Sequence, residues 1–319
     1  MEKLNIVMLD TSTLGGDISF ELFEKFGNVT VYDKTEQDSV GGRISDADVV
    51  IVNKVRLNEQ NLFGAKRLKL ICLTATGYDN VDTEFCGRNK IAVCNVRGYS
   101  TESVAQVTLA MALSLLNNLP YYDKYVKDGG YTKSGKQNKV TPVFHEMSRL
   151  KWGVVGLGAI GGRVADIAKL LGCQVLAYKR TKSSEYKCVS IERLCEECDI
   201  ISIHLPLNDG TRKLINKDRI SLMKKNAVVI NVARGDVADE AALADAIKDG
   251  RLGGLGIDVY SHEPMSEDSP YKDIINYDNV IFTPHMAWGA YEARVRCMEE
   301  IAENIDAFLR GEKRNRVEI

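Results

Sequence analysis

The chain has 319 residues, of which 45% are hydrophobic and 27% charged, and its formal net charge at pH 7 is -2. This length allows two domains with separate cores, and the composition is that of a globular protein rather than a disordered one. The near-neutral charge gives no electrostatic reason to expect nucleic acid or an anionic membrane as a partner.

The N-terminus and the cysteines predict a cytoplasmic protein. Residues 1–7 lack the basic start and apolar core of a signal peptide. The uncharged stretch 103–122 is long enough to span a bilayer, but its polar residues favour a buried or subunit-contacting helix. Eight scattered cysteines indicate reduced thiols, and Cys195 and Cys198 form only half a zinc-site spacing, so we predict no metal.

β-rich runs alternate with helical stretches along the whole chain, which is typical of parallel α/β sheets. In the first hundred residues a helix is expected at 16–26, and five strands suggest a flavodoxin-like sheet. The predicted strands are 5–9, 29–32, 48–52, 69–73 and 91–95.

A second series of six strands begins near residue 151, as a dinucleotide-binding (Rossmann) sheet requires. The predicted strands are 152–155, 174–178, 199–203, 227–231, 254–258 and 280–282. An apolar helix over 101–119 joins the two series, and 129–139 shows neither helical nor strand periodicity. The tail 291–309 has helical spacing and is expected to fold back on the first sheet, which would make the first domain discontinuous.

A glycine-rich turn follows the first strand of the second series. Gly156, Gly158 and Gly161 form G-x-G-x-x-G between a strand and a helix. In such a loop the first glycine allows the tight turn, the second lets backbone approach a pyrophosphate, and the third lets helix and strand pack closely. The exposed amides at the helix start favour a diphosphate, so we predict dinucleotide binding here.

The residues after the next strand bear on the choice between NAD and NADP. An acid there would bind the ribose 2′-hydroxyl of NAD, but this chain has Lys179 and Arg180. These cations favour NADP slightly, and the alternative is that they are solvated loop charges in an enzyme that uses NAD.

Three further motifs stand at strand ends or in the loops that follow. They are Asn231-Val-Ala-Arg234-Gly235, Asp258-Val-Tyr-Ser-His-Glu263-Pro264 and Thr283-Pro-His285. Ligands of open α/β sheets bind beyond the carboxyl ends of the strands, so these loops are expected to converge on one crevice. Each motif alone also fits an ordinary surface or turn residue.

Together, and in this order, these motifs resemble the D-isomer-specific 2-hydroxyacid dehydrogenase family over essentially the whole chain. The segments 76–82, 99–105 and 204–207 match as well. The resemblance implies a substrate-binding domain formed by 1–99 and 287–319. It also implies an NAD(P)-binding Rossmann domain over 100–286, with a dimerisation helix and arm at 101–145, and therefore a homodimer.

The resemblance also implies the roles of the site residues in reducing a 2-keto acid. His285 would be the acid/base, and Glu263 would pair with it and orient its ring. Arg234 would hold the substrate carboxylate and polarise the carbonyl. The Thr76 and Gly77 amides would supply further carboxylate contacts. Lys54 is a candidate for a polar substrate tail, or for a contact with an exposed carboxylate of the protein.

Further cofactor contacts are expected around the glycine-rich loop and at the neighbouring strand ends. Val104 would pack under the nicotinamide ring, His204 would line the adenosine side or be purely structural, and Asp258 would contact the carboxamide or cap a turn. The other expected positions are Ala159, Ile160, Pro206, Thr211, Val232, Ala233 and His285.

Within the family, residues 151–153, 53–54 and 283–294 resemble the glycerate dehydrogenase, or hydroxypyruvate reductase, branch. Hydroxypyruvate and glyoxylate are therefore the expected substrates, and D-lactate or bulkier 2-hydroxy acids are the alternative. A different class, the dinucleotide-sensing C-terminal-binding corepressors, shares the fold and would bind cofactor without turnover. Formate dehydrogenases place Gln beside the histidine, so Glu263 argues against them.

Overall fold

The computed structural model describes residues 3–179 and 185–318. The chain divides into two compact units, of which unit 1 comprises Met1–Ser100 and Gly289–Ile319, and unit 2 comprises Thr101–Trp288. Among the helices that these residues form, none combines the length and apolar composition that a membrane crossing requires.

Unit 1 contains a five-stranded parallel sheet with the strand order β2-β1-β3-β4-β5. Its strands are β1 (Leu4–Met8), β2 (Gly27–Val31), β3 (Val49–Val52), β4 (Leu70–Leu73) and β5 (Ala92–Cys94). Its helices are α1 (Val40–Ile44), α2 (Glu59–Leu62), α3 (Thr83–Arg88) and the C-terminal helix (Tyr291–Leu309). The order is that of a flavodoxin-like sheet, as predicted.

The sequence of the central strands explains their place in unit 1. β3 reads Val-Val-Ile-Val and β4 reads Leu-Ile-Cys-Leu, and every residue of both is buried, as expected for parallel strands covered on two faces. The C-terminal helix packs against β4 and buries Ile301 and Ile305.

The helix predicted over 16–26 is wrong. A 3-10 turn at Thr11–Leu14 precedes this region, and a second one at Glu21–Phe23 lies within it. Gly15 has a φ of +83°, a left-handed conformation that ends the first turn. The chain then enters β2 at Gly27, where a side chain would overlap the backbone of Leu4.

Unit 2 contains a seven-stranded parallel sheet with the order β12-β11-β10-β9-β6-β7-β8. Its strands are β6 (Lys151–Val155), β7 (Gln174–Tyr178), β8 (Lys187–Cys188), β9 (Ile200–Ile203), β10 (Val228–Asn231), β11 (Gly254–Ile257) and β12 (Val280–Phe282). The doubly wound order confirms a Rossmann sheet. The expected count of six was wrong, because two-residue β8 at the edge has no readable alternation.

The helices of unit 2 are α4 (Thr101–Leu116), α5 (Leu119–Lys127), α6 (Gly130–Ser134), α7 (Ala159–Leu170), α8 (Ile191–Glu197), α9 (Lys217–Leu222) and α10 (Glu240–Lys248). Two predictions fail here. The joining helix stops before 119, because Asn118 takes a left-handed conformation with a φ of +51°. The segment 129–139 contains α6, which is bounded at both ends by left-handed glycines, Gly129 and Gly135.

Helix α4 packs against the sheet of unit 2 at two glycines of β11. A Cβ at Gly254 would lie 3.3 Å from the Leu115 side chain, and one at Gly256 would lie 3.1 Å from Met111 Sδ. Glycine therefore lets the helix approach the strand closely.

Cys195 and Cys198 belong to the hydrophobic core of unit 2. Burial raises the pKa of both thiols to about 12, so they are protonated at neutral pH. Within residues 3–179 and 185–318, no group of three or more His, Cys, Asp or Glu side chains is arranged to hold a metal ion.

Candidate active site

The glycine-rich loop lies where the strand order of the unit 2 sheet reverses, between β6 and β9. Gly156 follows β6 with a φ of +101°, and a Cβ there would lie 2.8 Å from the carbonyl oxygen of His204. A Cβ at Gly161 would overlap the Gly156 carbonyl oxygen. Gly158, the N-cap of α7, has open space around its missing Cβ. The loop therefore leaves backbone exposed beside the N-terminus of a 12-residue helix, which suits a diphosphate.

His204 supplies an unpartnered polar atom next to this loop. Its Nε2 lies 2.9 Å from Ser202 Oγ, which accepts a hydrogen bond of 2.9 Å from Trp152 Nε1. Its Nδ1 is buried and has no hydrogen-bond partner among the described residues. Burial lowers the pKa of His204 to about 3, so the ring is neutral at physiological pH. Buried polar atoms are normally paired, so the free nitrogen fits a cofactor groove that a ligand completes.

The other residues predicted to bind cofactor occupy different environments. Thr211 Oγ1 donates to the Pro206 carbonyl over 2.7 Å and so closes the loop after β9. Val104 is 4% exposed and belongs to the hydrophobic core. Ala159 and Ile160 begin α7, Val232 and Ala233 follow β10, and Lys179 is exposed after β7. Arg180 lies outside the described residues.

Arg234 stands in the loop after β10, and Asn231 holds this loop in shape. The Asn231 side chain accepts a hydrogen bond from Ala233 N (3.1 Å) and donates one to the Arg234 carbonyl (2.9 Å). The Arg234 guanidinium donates to the Ala233 carbonyl over 2.7 Å. The next residue, Gly235, is pressed against the backbone of Tyr260 and Ser261, where any Cβ would overlap it.

Glu263 and His285 form a hydrogen-bonded pair. His285 Nδ1 lies 2.7 Å from one Glu263 carboxylate oxygen and 2.9 Å from the other. The His285 side chain is 23% exposed and the Glu263 side chain 32%, so the pair is partly shielded from solvent but accessible to a ligand. A carboxylate can only accept, so Nδ1 carries a proton and Nε2 is left as the nitrogen that exchanges protons. Residues 22 positions apart are thus brought into the geometry of an acid/base histidine and its orienting carboxylate.

Asp258 shapes the turn that carries His285. Its buried carboxylate accepts from Thr283 Oγ1 (2.6 Å), Met286 N (2.8 Å) and Ala287 N (3.0 Å). The His285 N–H donates to the Asp258 carbonyl over 2.8 Å. Of the two roles considered for Asp258, this geometry is that of the turn cap. The cap holds His285 at a φ of +52°, which is unusual for a residue other than glycine.

In unit 1 the residues predicted to bind substrate lie at the carboxyl end of the sheet. Asp10, after β1, accepts hydrogen bonds from three consecutive backbone N–H groups, those of Asn53 (2.9 Å), Lys54 (2.5 Å) and Val55 (3.0 Å). This buried carboxylate fixes the backbone that carries Lys54.

Thr76 and Gly77 follow β4 in the same unit. Thr76 Oγ1 donates to the Val96 carbonyl over 2.8 Å, and Asn95 Nδ2 donates to the Thr76 carbonyl over 2.7 Å. The loop after β4 is therefore tied to the end of β5.

Sequence reasoning missed several residues that hold the site together. Asp10, Ser202, Glu240 and Tyr260 each bond to a segment distant in the chain. Because each of these contacts joins segments far apart in the chain, local sequence patterns carry no signal for them.

Comparison with known proteins identifies the class that this fold and site define. The family model described as "D-isomer specific 2-hydroxyacid dehydrogenase, NAD binding domain" matches residues 109–287. The hydroxypyruvate reductase of Blautia hydrogenotrophica is 31% identical over 317 residues, which cover 97% of this chain and 98% of that protein. The glycerate dehydrogenase of Methylorubrum extorquens is 31% identical over 314 residues, which cover 98% of each.

A solved structure agrees with these relatives. The D-lactate dehydrogenase of Aquifex aeolicus, complexed with NAD and lactic acid, has a TM-score of 0.85 and 32% identity, covering 97% of this chain and 96% of that one.

The chain belongs to the D-isomer-specific 2-hydroxyacid dehydrogenase family. It is accordingly an oxidoreductase that acts on CH–OH groups, and its cofactor is a nicotinamide dinucleotide. The open glycine-rich loop and the unpartnered His204 Nδ1 fit that cofactor.

Proposed function

We propose that this enzyme reduces a small 2-keto acid, hydroxypyruvate or glyoxylate, to the D-2-hydroxy acid with NAD(P)H. The observation that carries the proposal is the 2.7 Å hydrogen bond between His285 and Glu263 in a chain of this family. The similarity to a hydroxypyruvate reductase and a glycerate dehydrogenase supports this choice of substrate. D-lactate or a bulkier 2-hydroxy acid is the alternative that the Aquifex aeolicus neighbour supports.

The residues of unit 2 provide the proton and hold the substrate. A bound reduced nicotinamide supplies the hydride for the carbonyl carbon. His285 donates its Nε2 proton to the carbonyl oxygen as the C=O π electrons become the new O–H bond, and Glu263 stabilises the orientation of the ring throughout. Arg234 binds the substrate carboxylate and polarises the carbonyl, for which a planar guanidinium is suited.

Unit 1 is proposed as the substrate-binding domain, and unit 2 as the NAD(P)-binding domain. The Thr76 and Gly77 backbone N–H groups would donate hydrogen bonds to the substrate carboxylate. Lys54 would contact the hydroxyl or an anionic tail of the substrate, held there by the Asp10 carboxylate beneath its backbone.

For the cofactor we propose a modest preference for NADPH over NADH. Lys179 is exposed directly after β7, at the point where an acidic residue would bind the NAD ribose. Together with Arg180 it would neutralise a 2′-phosphate.

We further propose that the enzyme is a homodimer formed through the arm 101–145. Several large apolar side chains of this segment are strongly exposed within the single chain, which favours an interface. They are Leu119 (51%), Val126 (55%), Val140 (67%), Val143 (68%) and Phe144 (48%).

The test is the absorbance decay of NADH and NADPH in parallel with hydroxypyruvate, glyoxylate, pyruvate and phenylpyruvate. We expect fastest oxidation with hydroxypyruvate or glyoxylate, and loss of activity in His285→Ala and Arg234→Ala. Equal or better use of NADH would overturn the NADPH preference. Cofactor binding without turnover of any keto acid would instead support a dinucleotide-sensing scaffold.

A further inference from the structure

Glu240 makes a hydrogen bond that its place in a helix does not explain. It is the first residue of α10, whose N-cap is Asp239, with the Asp239 side chain accepting from Ala242 N over 3.2 Å. The Glu240 carboxylate turns away from this helix and accepts from Ser261 N over 2.7 Å. An acidic residue in the first turn stabilises a helix through the dipole, but that effect requires no bond to a distant segment.

Ser261 lies in the turn that presents Glu263. Tyr260 N donates to a Glu263 carboxylate oxygen over 3.2 Å, and the same oxygen lies 2.9 Å from His285 Nδ1. A shift of Ser261 would therefore move the carboxylate that orients the histidine.

The turn borders an open, polar pocket of about 210 Å³, whose lining includes Glu240, Ser261, His262 and Asp268. The segment 234–240 contacts the turn twice, through the close approach of Gly235 to Tyr260 and Ser261 and through the Glu240 hydrogen bond. Tyr260 is held in addition by the hydrogen bond of its hydroxyl to the Thr283 carbonyl (3.0 Å). Because the segment 234–240 begins with Arg234, the same piece of chain sets both the arginine and the Glu263 turn.

We propose that Glu240 is a positioning residue for the Glu263–His285 pair. By accepting the hydrogen bond from Ser261 N, it keeps the Glu263 carboxylate within hydrogen-bond distance of His285 Nδ1. It also keeps the Glu263 turn at a constant position relative to the Arg234 loop. This inference rests on the proposed function, in which His285 is the acid/base.

The experiment compares Glu240→Ala, Glu240→Asp and Glu240→Gln in the full-length enzyme with hydroxypyruvate or the best keto acid. Displacing catalytic groups by about 1 Å can lower turnover 10²-fold, so we expect kcat to fall about 10- to 100-fold in Glu240→Ala. Glu240→Asp keeps the charge but is one methylene too short, and we expect a similar fall. Glu240→Gln keeps an accepting oxygen and should restore kcat to within about threefold. Cofactor KM should stay within about twofold in all three.

Asp218→Ala is the matched control, because Asp218 is the first-turn acid of α9 in the same unit. It should leave kcat unchanged. Each variant is also made in a Glu263→Gln background, where Glu240→Ala should lower kcat no further, since residues that act as a unit are non-additive.

Three results would overturn the role of Glu240: equal loss in Glu240→Gln and Glu240→Ala, a full additional loss in the Glu263→Gln background, or wild-type kcat in both Glu240→Ala and Glu240→Asp. If Glu240→Ala does not fold, the comparison of the Asp and Gln variants decides the question. Cofactor binding by the wild type without turnover of any keto acid would instead refute the proposed function, whatever the Glu240 variants do.

Discussion

His204, which follows β9, makes the stability of unit 2 sensitive to acid. In the folded chain burial lowers the pKa of His204 to about 3, whereas in the unfolded chain it has its ordinary value near 6.5. Below pH 6.5 the unfolded chain therefore binds a proton that the folded chain does not. The stabilising contribution is present above pH 6.5 and is lost as the pH falls from 6.5 towards 3.

The size of this effect follows from the two pKa values. Between pH 7 and pH 5 the single proton should lower the free energy of unfolding by about 2 kcal/mol. Over this interval the loss of unfolding free energy depends almost entirely on the pKa of His204 in the unfolded chain, because its pKa of about 3 in the folded chain lies well below pH 5.

The assay is urea unfolding at pH 7 and pH 5 without cofactor, for the wild type and for His204→Gln. Both tryptophans, Trp152 and Trp288, lie in unit 2, so their fluorescence reports the unfolding of that unit. The stability advantage of the wild type over the variant should shrink by about 2 kcal/mol from pH 7 to pH 5. An unchanged difference would show that His204 is not held neutral in the folded chain.

Three further predictions concern the site. Gly156→Ala places a Cβ 2.8 Å from the His204 carbonyl oxygen at a φ of +101°, so the cofactor Kd, measured by fluorescence titration, should rise at least tenfold. The control Gly42→Ala has open space at its Cβ and should bind cofactor with the wild-type Kd. Arg234→Lys loses the planar two-nitrogen fork, so keto-acid kcat/KM should fall by about 10² or more; wild-type kinetics would contradict a carboxylate-binding role. Tyr260→Phe removes the 3.0 Å hydrogen bond to the Thr283 carbonyl and should lower stability by about 1 kcal/mol; an unchanged Tm would show that this bond contributes nothing.

The local sequence pattern predicted those strands and helices whose position depends on residues close together in the chain. The strands 174–178 and 280–282 and the helix 291–309 were predicted with their observed bounds. The helix has an apolar periodicity that matches the face it buries, and the strands are short runs rich in β-branched and aromatic residues. The helix at 16–26 failed because Gly15 and the entry into β2 at Gly27 override helical spacing. β8 was missed because two residues carry no period.

In the candidate site, too, only features with a local cause were predictable from the sequence. The glycines of the phosphate loop were predicted because each meets a local steric requirement. The pairing of Glu263 with His285 was expected only through family resemblance, since spacing alone does not bring residues 22 apart together. Asp10 and Glu240 bond to residues 43–45 and 21 positions away, and nothing in the sequence indicates such partners before the fold is known.

The Asp10 carboxylate has a consequence for redesigning substrate choice. It accepts hydrogen bonds from the main chain of 53–55, so these bonds do not depend on which side chain stands at position 54, proline excepted, which lacks the N–H. A saturation library at Lys54 would therefore vary the chemistry offered to a ligand while the peptide that presents it stays in place.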